Sequence, residues 1–256
     1  MSINMELMRK KLATLRGEGS KDANSPWFKP DEGDTDIRIV PTNDGDPLKE
    51  MFFHYNVGEH KGGVLCPKRN YGEACPICEF ASSLWREGVD NNDDESKKLA
   101  KSLFVRTRYF SPVVVRGREE EGIKVYGYGK QAYELLLGYI LDPEYGDITD
   151  SKEGTDITLT YTKPNKPGAY PQTSLKMRRN TSTLLEDAEA IPALLDRMPD
   201  FDGLFERLSS QQVGAILDEQ LSGDTSAEGR SSETAKYGPA NGKSSVDQAF
   251  DELMSG

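Results

Sequence analysis

All three cysteines of the chain fall in one short stretch, LCPKRNYGEACPICEF, at residues 65–80. Cys66 comes first, and the pair Cys75 and Cys78 follows with Cys-x-x-Cys spacing. An odd number of thiols cannot all pair as disulfides, whereas Cys-x-x-Cys presents two thiolates that can bind one metal ion. The stretch therefore predicts that this part of the chain folds around a metal.

A structural zinc ion takes four protein ligands, so a fourth donor is required. The chain has two histidines, His54 and His60, and both lie just upstream of the cysteines. His54 sits in the strand-like run MFFHY, which would fix the direction of its side chain, whereas His60 sits in the loop GEHKGG, where a solvated side chain is expected. We favour one structural Zn²⁺ bound by four residues: His54, Cys66, Cys75 and Cys78.

Other roles for the thiols fit less well. Free cysteines do not explain the clustering, and a thioredoxin-like redox pair at Cys75 and Cys78 leaves the third thiol unexplained. A zinc deaminase needs His-x-Glu and Pro-Cys-x-x-Cys, but Ala74 stands before Cys75 and neither histidine is followed by that glutamate. Four protein ligands also leave no open position for a water molecule. We therefore expect a structural site and a protein that is not an enzyme.

The net charge of −11 argues against a nucleic-acid ligand when it is taken for the whole chain. The charge is unevenly distributed, however. Basic residues exceed acidic ones by four in residues 101–130 and again by four in residues 152–180, while acidic residues exceed basic ones by six in residues 186–206. Segregated charge creates a local field that the net value hides.

Hydrophobic patterning predicts an α+β fold that is mainly β. Strands are expected in residues 34–41, 49–58, 103–117, 123–129 and 155–163, helices in 93–105, 130–141, 182–198 and 201–221, and a loop in 164–180. Residues 1–20 are expected to form a basic N-terminal arm, and the small polar residues 222–245 a disordered linker before an acidic tail at 246–256. No apolar run is long enough to span a bilayer, and we expect a soluble protein in a reducing cytoplasm.

Aromatic side chains alternate with Lys and Arg in the basic segments, as in proteins that bind single-stranded nucleic acid through base stacking and phosphate contacts. Strand alternation places Tyr126 and Tyr128 on one face with Lys124, and we expect that face to lie outside the core. Phe104 and Phe110 lie an even number of residues apart in the predicted strand 103–117 and so face the same side, and we expect both to be core residues. Aromatic residues in strands are more often core than binding platform, so which tyrosines stack stays open.

Taken together, these features resemble the single-stranded DNA-binding, or helix-destabilising, proteins of T-even-like tailed bacteriophages. The most specific element is the order of His54, Cys66 and the Cys75–Cys78 pair, which resembles that family's zinc site and supports His54 over His60. The strands DIRIVP, RTRYF and KVYGYGKQ, a basic arm and an acidic tail add to the resemblance. It implies a core at residues 21–221, built as an OB-type barrel with peripheral helices and a zinc subdomain inserted at about 50–100.

The resemblance and the basic segments together give a set of candidate residues. Those for binding single-stranded DNA are Tyr71, Phe80, Arg106, Arg108, Tyr109, Arg116, Lys124, Tyr126, Tyr128, Lys130, Tyr133, Lys163, Lys166, Tyr170, Lys176, Arg178 and Arg179. Arg9, Lys10 and Lys11 of the motif RKKLAT would link neighbouring copies along the strand. Asp247, Phe250, Asp251, Glu252 and Leu253 of the tail would recruit replication and recombination proteins.

The expected function is cooperative, sequence-independent binding of single-stranded DNA during phage DNA replication, recombination and repair, in the cytoplasm of the infected bacterial host. Preferential binding to single strands would also destabilise duplexes by mass action. Two alternatives remain open: a zinc-stabilised adaptor that binds only proteins, and a protein that binds single-stranded RNA.

Overall fold

A computed structural model describes residues 25–58, 63–164, 166 and 171–223. The strands of this part of the chain are β1 (Trp27–Phe28), β2 (Gly33–Ile39), β3 (Lys49–His54), β4 (Val64–Leu65), β5 (Arg106–Val115), β6 (Lys124–Tyr128), β7 (Thr155–Thr162) and β8 (Gln172–Thr181). The helices are α1 (Pro67–Tyr71), α2 (Pro76–Asp90), α3 (Asp94–Leu103), α4 (Lys130–Leu141), α5 (Ile191–Leu195) and α6 (Ser210–Gly223), with 3₁₀ turns at Glu119–Glu121 and Ala188–Ala190. The predicted class, α+β with sheet predominating, is confirmed.

Several predicted boundaries are wrong. The segment 164–180, predicted as a loop, contains most of strand β8, and the long helix α2 was not predicted. Helix α6 starts at Ser210, well after the predicted start at 201, and it runs two residues into the predicted linker. Of the helix predicted over 182–198, only a 3₁₀ turn and the short helix α5 form. Among the described residues, no helix has the length and apolar character needed to cross a bilayer.

The chain divides into two compact units. Of the described residues, the first contains those up to Lys49 and those from Tyr109 to Asp200, and the second contains those from Glu50 to Arg108 and those from Phe201 onward. Each unit is therefore built from separate pieces of sequence. The metal-ligand candidates all lie in the second unit, and the basic strand β8 lies in the first.

The first unit is organised around a sheet with the strand order β1-β6-β5-β2-β7-β8. The pairings of β6 with β5, β5 with β2, β2 with β7 and β7 with β8 are antiparallel, whereas β1 pairs with β6 in parallel. Strands β1 and β8 end this order, so the sheet is not closed into a barrel within the described residues. Strand β8 is therefore an edge strand of the sheet, and its charged side chains lie along that edge.

Strand β5 is buried on both faces from Tyr109 to Val115. On one face Val113 and Val115 join the larger core, which also contains Ile37, Ile157 and Leu159. On the other face Val114 packs with a smaller cluster that contains Val40 and Leu184. This two-sided burial explains the continuous apolar run SPVVV, because a strand covered on both faces need not alternate.

The second unit combines a hairpin with a helical layer. Strands β3 and β4 pair antiparallel, with Phe53 opposite Leu65 and His54 opposite Val64. Helices α2 and α3 follow, and the buried residues Ile77, Phe80, Ala81 and Leu84 of α2 have the i, i+3, i+4, i+7 spacing of an amphipathic helix. Helix α6 completes this core with Val213 and Leu217, both fully buried.

Candidate metal centre and nucleic-acid interface

Four side chains converge in the second unit: His54, Cys66, Cys75 and Cys78. Their candidate ligand atoms all lie within 4.8 Å of one another. His54, Cys66 and Cys75 have no exposed surface, and Cys78 is partly buried. The structure thus brings together the four residues that the sequence suggested, while His60 lies outside the described residues.

The position of His54 in strand β3 and the hydrogen bond of its ring fix the orientation of this side chain. The Nδ1 atom of His54 donates to the carbonyl oxygen of Leu103, at the end of α3, over 2.8 Å. Because a carbonyl can only accept, this contact places the proton on Nδ1 and leaves the Nε2 lone pair directed at the sulfur atoms. Nε2 lies 3.4 Å from the Sγ atom of Cys75 and 3.5 Å from that of Cys78.

Two cysteines occupy the N-cap positions of helices, and each is followed by a proline. Cys66 precedes Pro67 at the start of α1, and Cys75 precedes Pro76 at the start of α2. Proline at the first helical position loses no hydrogen bond and fixes the backbone there. The Sγ atom of Cys66 also accepts a hydrogen bond from the backbone N–H of Arg69 at 3.4 Å, which favours the thiolate form that binds a metal.

Asn70 ties the two sides of the site together. Its amide donates to the carbonyl oxygens of Phe52 at 2.7 Å and Cys66 at 2.9 Å, and its Oδ1 accepts from the N–H of Phe52 at 3.1 Å. The strand that carries His54 is thereby attached to the turn that carries Cys66. Sequence reasoning did not identify Asn70, since nothing in its local sequence marks it as a support of the site.

The distances between these atoms fit a tetrahedral metal ion. Zn–S bonds of about 2.3 Å and Zn–N bonds of about 2.0–2.1 Å imply S–S edges of about 3.8 Å and S–N edges of about 3.6 Å. The Sγ atoms of Cys66 and Cys78 are 3.5 Å apart, and the two S–N distances are 3.4 and 3.5 Å. The group can therefore hold one metal ion with little movement, and its Cys₃His composition is one that structural zinc sites use.

The electrostatics of the cluster favour a cation. Burial alone would lower the pKa of His54, but hydrogen bonds with Cys66 and Cys75 outweigh it and raise that pKa to about 9. Hydrogen bonding with Cys75 and Cys78 lowers the pKa of the Cys66 thiol. An imidazole beside ionised sulfur thus tends to hold a positive charge, and a bound metal ion would supply that charge instead.

The structure corrects the expectation for the aromatic face of β6. Alternation does place Tyr126 and Tyr128 on one face, but that face belongs to the larger core of the first unit, where Tyr126 and Tyr128 are each 4% exposed. Tyr109 is buried in the same cluster and stacks on the half-buried Tyr133, with ring centroids 3.9 Å apart. The Tyr128 hydroxyl shares a hydrogen bond with the Ser111 hydroxyl at 2.7 Å, so the ring can be buried without an unpaired polar atom.

Three further residues that were predicted to bind DNA instead make contacts within their own unit. Phe80 is buried in the core of the second unit. Tyr71 is half-buried beneath the guanidinium of Arg207, which lies 4.1 Å from the ring centroid. Lys124 is buried, and its ammonium donates to the carbonyl oxygen of Ser25 at 2.8 Å. In this geometry these side chains contribute to stability.

Arg116, another predicted DNA contact, belongs to an ionic network in the first unit. Its Nε and one terminal nitrogen donate to Oδ1 of Asp156 at 2.9 and 2.8 Å, and its other terminal nitrogen donates to the carbonyl oxygen of Leu184 at 2.6 Å. Arg38, fully buried, donates to the same Asp156 oxygen. Arg116 thus holds the segment after β8 against the sheet.

The other predicted basic residues are exposed: Arg106, Arg108, Lys130, Lys163, Lys166, Lys176, Arg178 and Arg179. Three of them form ion pairs, namely Lys130 with Glu134, Lys163 with Glu32 and Arg178 with Asp36. Within the described ranges, the rest of this set has no ion-pair partner. Such side chains are the ones available to contact phosphate groups.

Strand β8 brings three of these residues together. Lys176, Arg178 and Arg179 line a depression of about 660 Å³ on the first unit, together with Thr158, Thr160 and Ser174, and with Asp34 as the one acidic residue among its lining. We call this the β8 depression. The hydroxyls of Thr158 and Thr160 already donate to the carboxylates of Asp36 and Asp34. Ammonium, guanidinium and hydroxyl groups are the side-chain donors that nucleic-acid-binding proteins use on phosphate oxygens.

A second depression on the same unit has the opposite charge. It measures about 820 Å³, and its lining includes Arg116 and Arg178 but six acidic side chains: Asp36, Glu119, Glu120, Asp156, Glu186 and Asp187. Such a surface repels phosphate groups. Of the two depressions, only the β8 depression has a charge that suits a nucleic-acid backbone.

Several predicted residues lie outside the described residues: Tyr170 of the DNA-binding set, Arg9, Lys10 and Lys11 of the arm, and Asp247, Phe250, Asp251, Glu252 and Leu253 of the tail. Their roles stay predictions.

Comparison with known proteins gives one family. Residues 31–220 match the family described as gp32 DNA binding protein like, whereas a comparison with curated proteins gives no match. The matched range covers more than half of the chain and includes most of the described residues of both units, the metal cluster and the β8 depression. The family is one of DNA-binding proteins and not one of enzymes. The chain therefore belongs to the gp32-like family of single-stranded DNA-binding proteins.

Proposed function

We propose that this protein coats single-stranded DNA cooperatively and without sequence preference during phage DNA replication, recombination and repair. The observation that carries the proposal is the family match over residues 31–220. The β8 depression supports it, because its lining offers for phosphate contacts the exposed side chains of Lys176 and Arg179, which have no ion-pair partner among the described residues. Binding through phosphates and ring faces is indifferent to sequence.

The metal centre has a structural role in this proposal. We propose that the ion is a single Zn²⁺, since a Cys₃His set with four protein ligands is typical of closed structural zinc sites. When bound, it would neutralise the thiolates and hold β3, α1 and α2 together. The sheet of the first unit would be an open variant of an OB-type barrel.

The finer parts of the proposal concern the two ends of the chain. The basic arm at 1–20 would contact the neighbouring copy along the DNA, and the acidic tail at 246–256 would recruit replication and recombination proteins in the cytoplasm of the infected host. A single strand coated in this way cannot re-pair, so duplexes would be destabilised by mass action.

The test is a titration of the zinc-loaded protein with fluorescent oligo-dT, a matched oligo-rU and a matched duplex, each at several salt concentrations. We expect binding to oligo-dT that weakens steeply as salt increases, and little binding to the duplex. Equal binding to duplex and single strand contradicts the proposal. A clear preference for oligo-rU would move the assignment to single-stranded RNA.

A further inference from the structure

Phe104 lies at an unexpected position in the second unit. The alternation of β5 predicted it to be a core residue, yet its side chain is 37% exposed. It follows the last residue of α3 in an extended conformation, with φ −59° and ψ 144°, and leads directly into β5. One exposed apolar side chain is ordinary by itself, so the neighbours of Phe104 decide whether it belongs to a larger surface patch.

Trp85 of α2 lies beside Phe104. The two ring centroids are 5.8 Å apart, and the indole of Trp85 is only partly buried. The ammonium of the exposed Lys101 lies over the Trp85 ring, 5.2 Å from its centroid. Two aromatic rings and one cation therefore share a patch on the surface of the second unit, which we call the Trp85 patch and define as Trp85, Lys101 and Phe104.

Positive charge continues from this patch along the chain. Phe104, Arg106 and Arg108 are all exposed, whereas the alternate residues Val105 and Thr107 are half-buried. Residues two apart in extended backbone point to the same side, so the two guanidinium groups follow the phenyl ring along one face. Neither Arg106 nor Arg108 has an ion-pair partner among the described residues.

We propose that the Trp85 patch is a stacking platform for one nucleobase of bound single-stranded DNA, with Arg106 and Arg108 contacting the phosphates next to it. This inference rests on the proposed function and adds a contact on the second unit. Aromatic rings at the surface beside exposed cations are the combination that single-stranded nucleic acid requires. The adjacent positive charge also favours a polyanion over an apolar protein segment as the occupant.

The first test uses the fluorescence of Trp85. The chain contains two tryptophans, Trp27 and Trp85, so Trp27→Phe leaves Trp85 as the sole indole. We expect oligo-dT to quench its emission as the oligonucleotide binds, and salt to restore the emission as it dissociates. Fluorescence anisotropy of labelled oligo-dT measures binding in the same samples. Binding by anisotropy with unchanged Trp85 emission overturns the stacking platform while the proposed function stands.

The second test removes the exposed ring. We expect Phe104→Ala to weaken oligo-dT binding by about 5- to 100-fold, as loss of one stacked base predicts, without lowering the thermal midpoint. Leu99→Ala is the control, since Leu99 is 42% exposed in the same unit and is not one of the three residues of the patch, and its affinity should not change. If Phe104→Ala binds oligo-dT as tightly as the parent protein, the inference is overturned. If the substitution changes only self-association, the inference is also overturned and the patch is a protein interface. A parent protein that binds no oligonucleotide overturns the proposed function and this inference together.

Discussion

Arg38 donates from Nε to Oδ1 of Asp156 at 2.8 Å, although the Arg38 side chain is fully buried. Burial lowers the pKa of this guanidinium, but an arginine stays protonated in a protein, so its charge must be neutralised locally. Arg38 also donates to the carbonyl oxygens of Asp150 and Ser182. Asp156 is therefore the counter-ion on which the buried part of the first unit depends.

Removal of that counter-ion should destabilise the first unit. We predict that Asp156→Ala lowers the free energy of unfolding by about 3–5 kcal/mol, because it leaves a buried charge without its partner. Denaturant unfolding measures the change. Asp156→Asn retains an acceptor and should lose less, and Glu153→Ala, at an exposed position nearby, should behave as the parent. A loss below about 1 kcal/mol in Asp156→Ala would show that water replaces the carboxylate.

The metal site allows a direct chemical test. We predict that the purified protein contains close to one equivalent of zinc and that Cys75→Ser loses it, because a hydroxyl does not replace a thiolate ligand. Elemental analysis and thermal unfolding give the two readouts. The unfolding midpoint should fall both in the variant and in the parent treated with a chelator, since metal binding contributes to folding free energy. Ser82→Ala, an exposed change on the same helix, should retain the metal.

Acidification should release the metal in the same way. Protons compete with it for the thiolates and for Nε2 of His54, so metal affinity falls as pH falls. Zinc retained after dialysis across a pH series measures this effect. Retention that does not change down to strongly acidic pH would argue against a thiolate-bound ion.

The β8 depression should control the salt dependence of binding. We predict that Lys176→Ala and Arg179→Ala each weaken oligo-dT binding and reduce the slope of log K against log salt by about 0.7, the value for one phosphate contact on a single strand. Lys152→Ala removes an exposed lysine that does not line the depression and should leave the slope unchanged. Unchanged slopes in both depression variants would place the phosphate path elsewhere.

Tyr128 should behave as a core residue. We predict that Tyr128→Leu lowers the free energy of unfolding by about 2–4 kcal/mol, through lost packing and loss of the hydrogen bond to Ser111, while folded protein retains its affinity for oligo-dT. Thermal unfolding and anisotropy separate the two effects. A variant that keeps its thermal midpoint but loses affinity would restore Tyr128 to the binding surface.

The parts of the molecule that depend on local pattern could be predicted from the sequence. The grouping of the three cysteines follows from their spacing, and the choice of His54 as the fourth residue from the strand-like run around it and from the family resemblance. Helix α4 follows from its apolar periodicity. Helix α2 could also have been predicted from the sequence, since Ile77, Phe80, Ala81 and Leu84 have helical spacing. Its first turn overlaps the Cys-x-x-Cys motif, so one stretch of sequence carries both the metal-ligand spacing and the helical spacing.

The rest depended on information that local sequence does not contain. Alternation correctly placed Tyr126 and Tyr128 on one face, but which face is buried depends on partners distant in sequence, such as Phe28 and Leu136. Strand β8 was missed because Pro and Lys residues precede and interrupt its apolar positions, and only pairing with β7 makes it a strand. Phe104 was assigned to the core because the start of β5 was placed too early.

The division of both units into separate segments has a consequence for synthesis on the ribosome. All four candidate metal ligands emerge by residue 78, whereas Val213 and Leu217 of helix α6, which complete the core around them, emerge among the last of the described residues. The first part of strand β2, residues 33–36, pairs only with β7, which is made more than a hundred residues later. The nascent chain would thus have all four ligands for a metal ion early, and an ion bound there would hold the Cys-rich segment in a native-like arrangement until the helix that covers it is made.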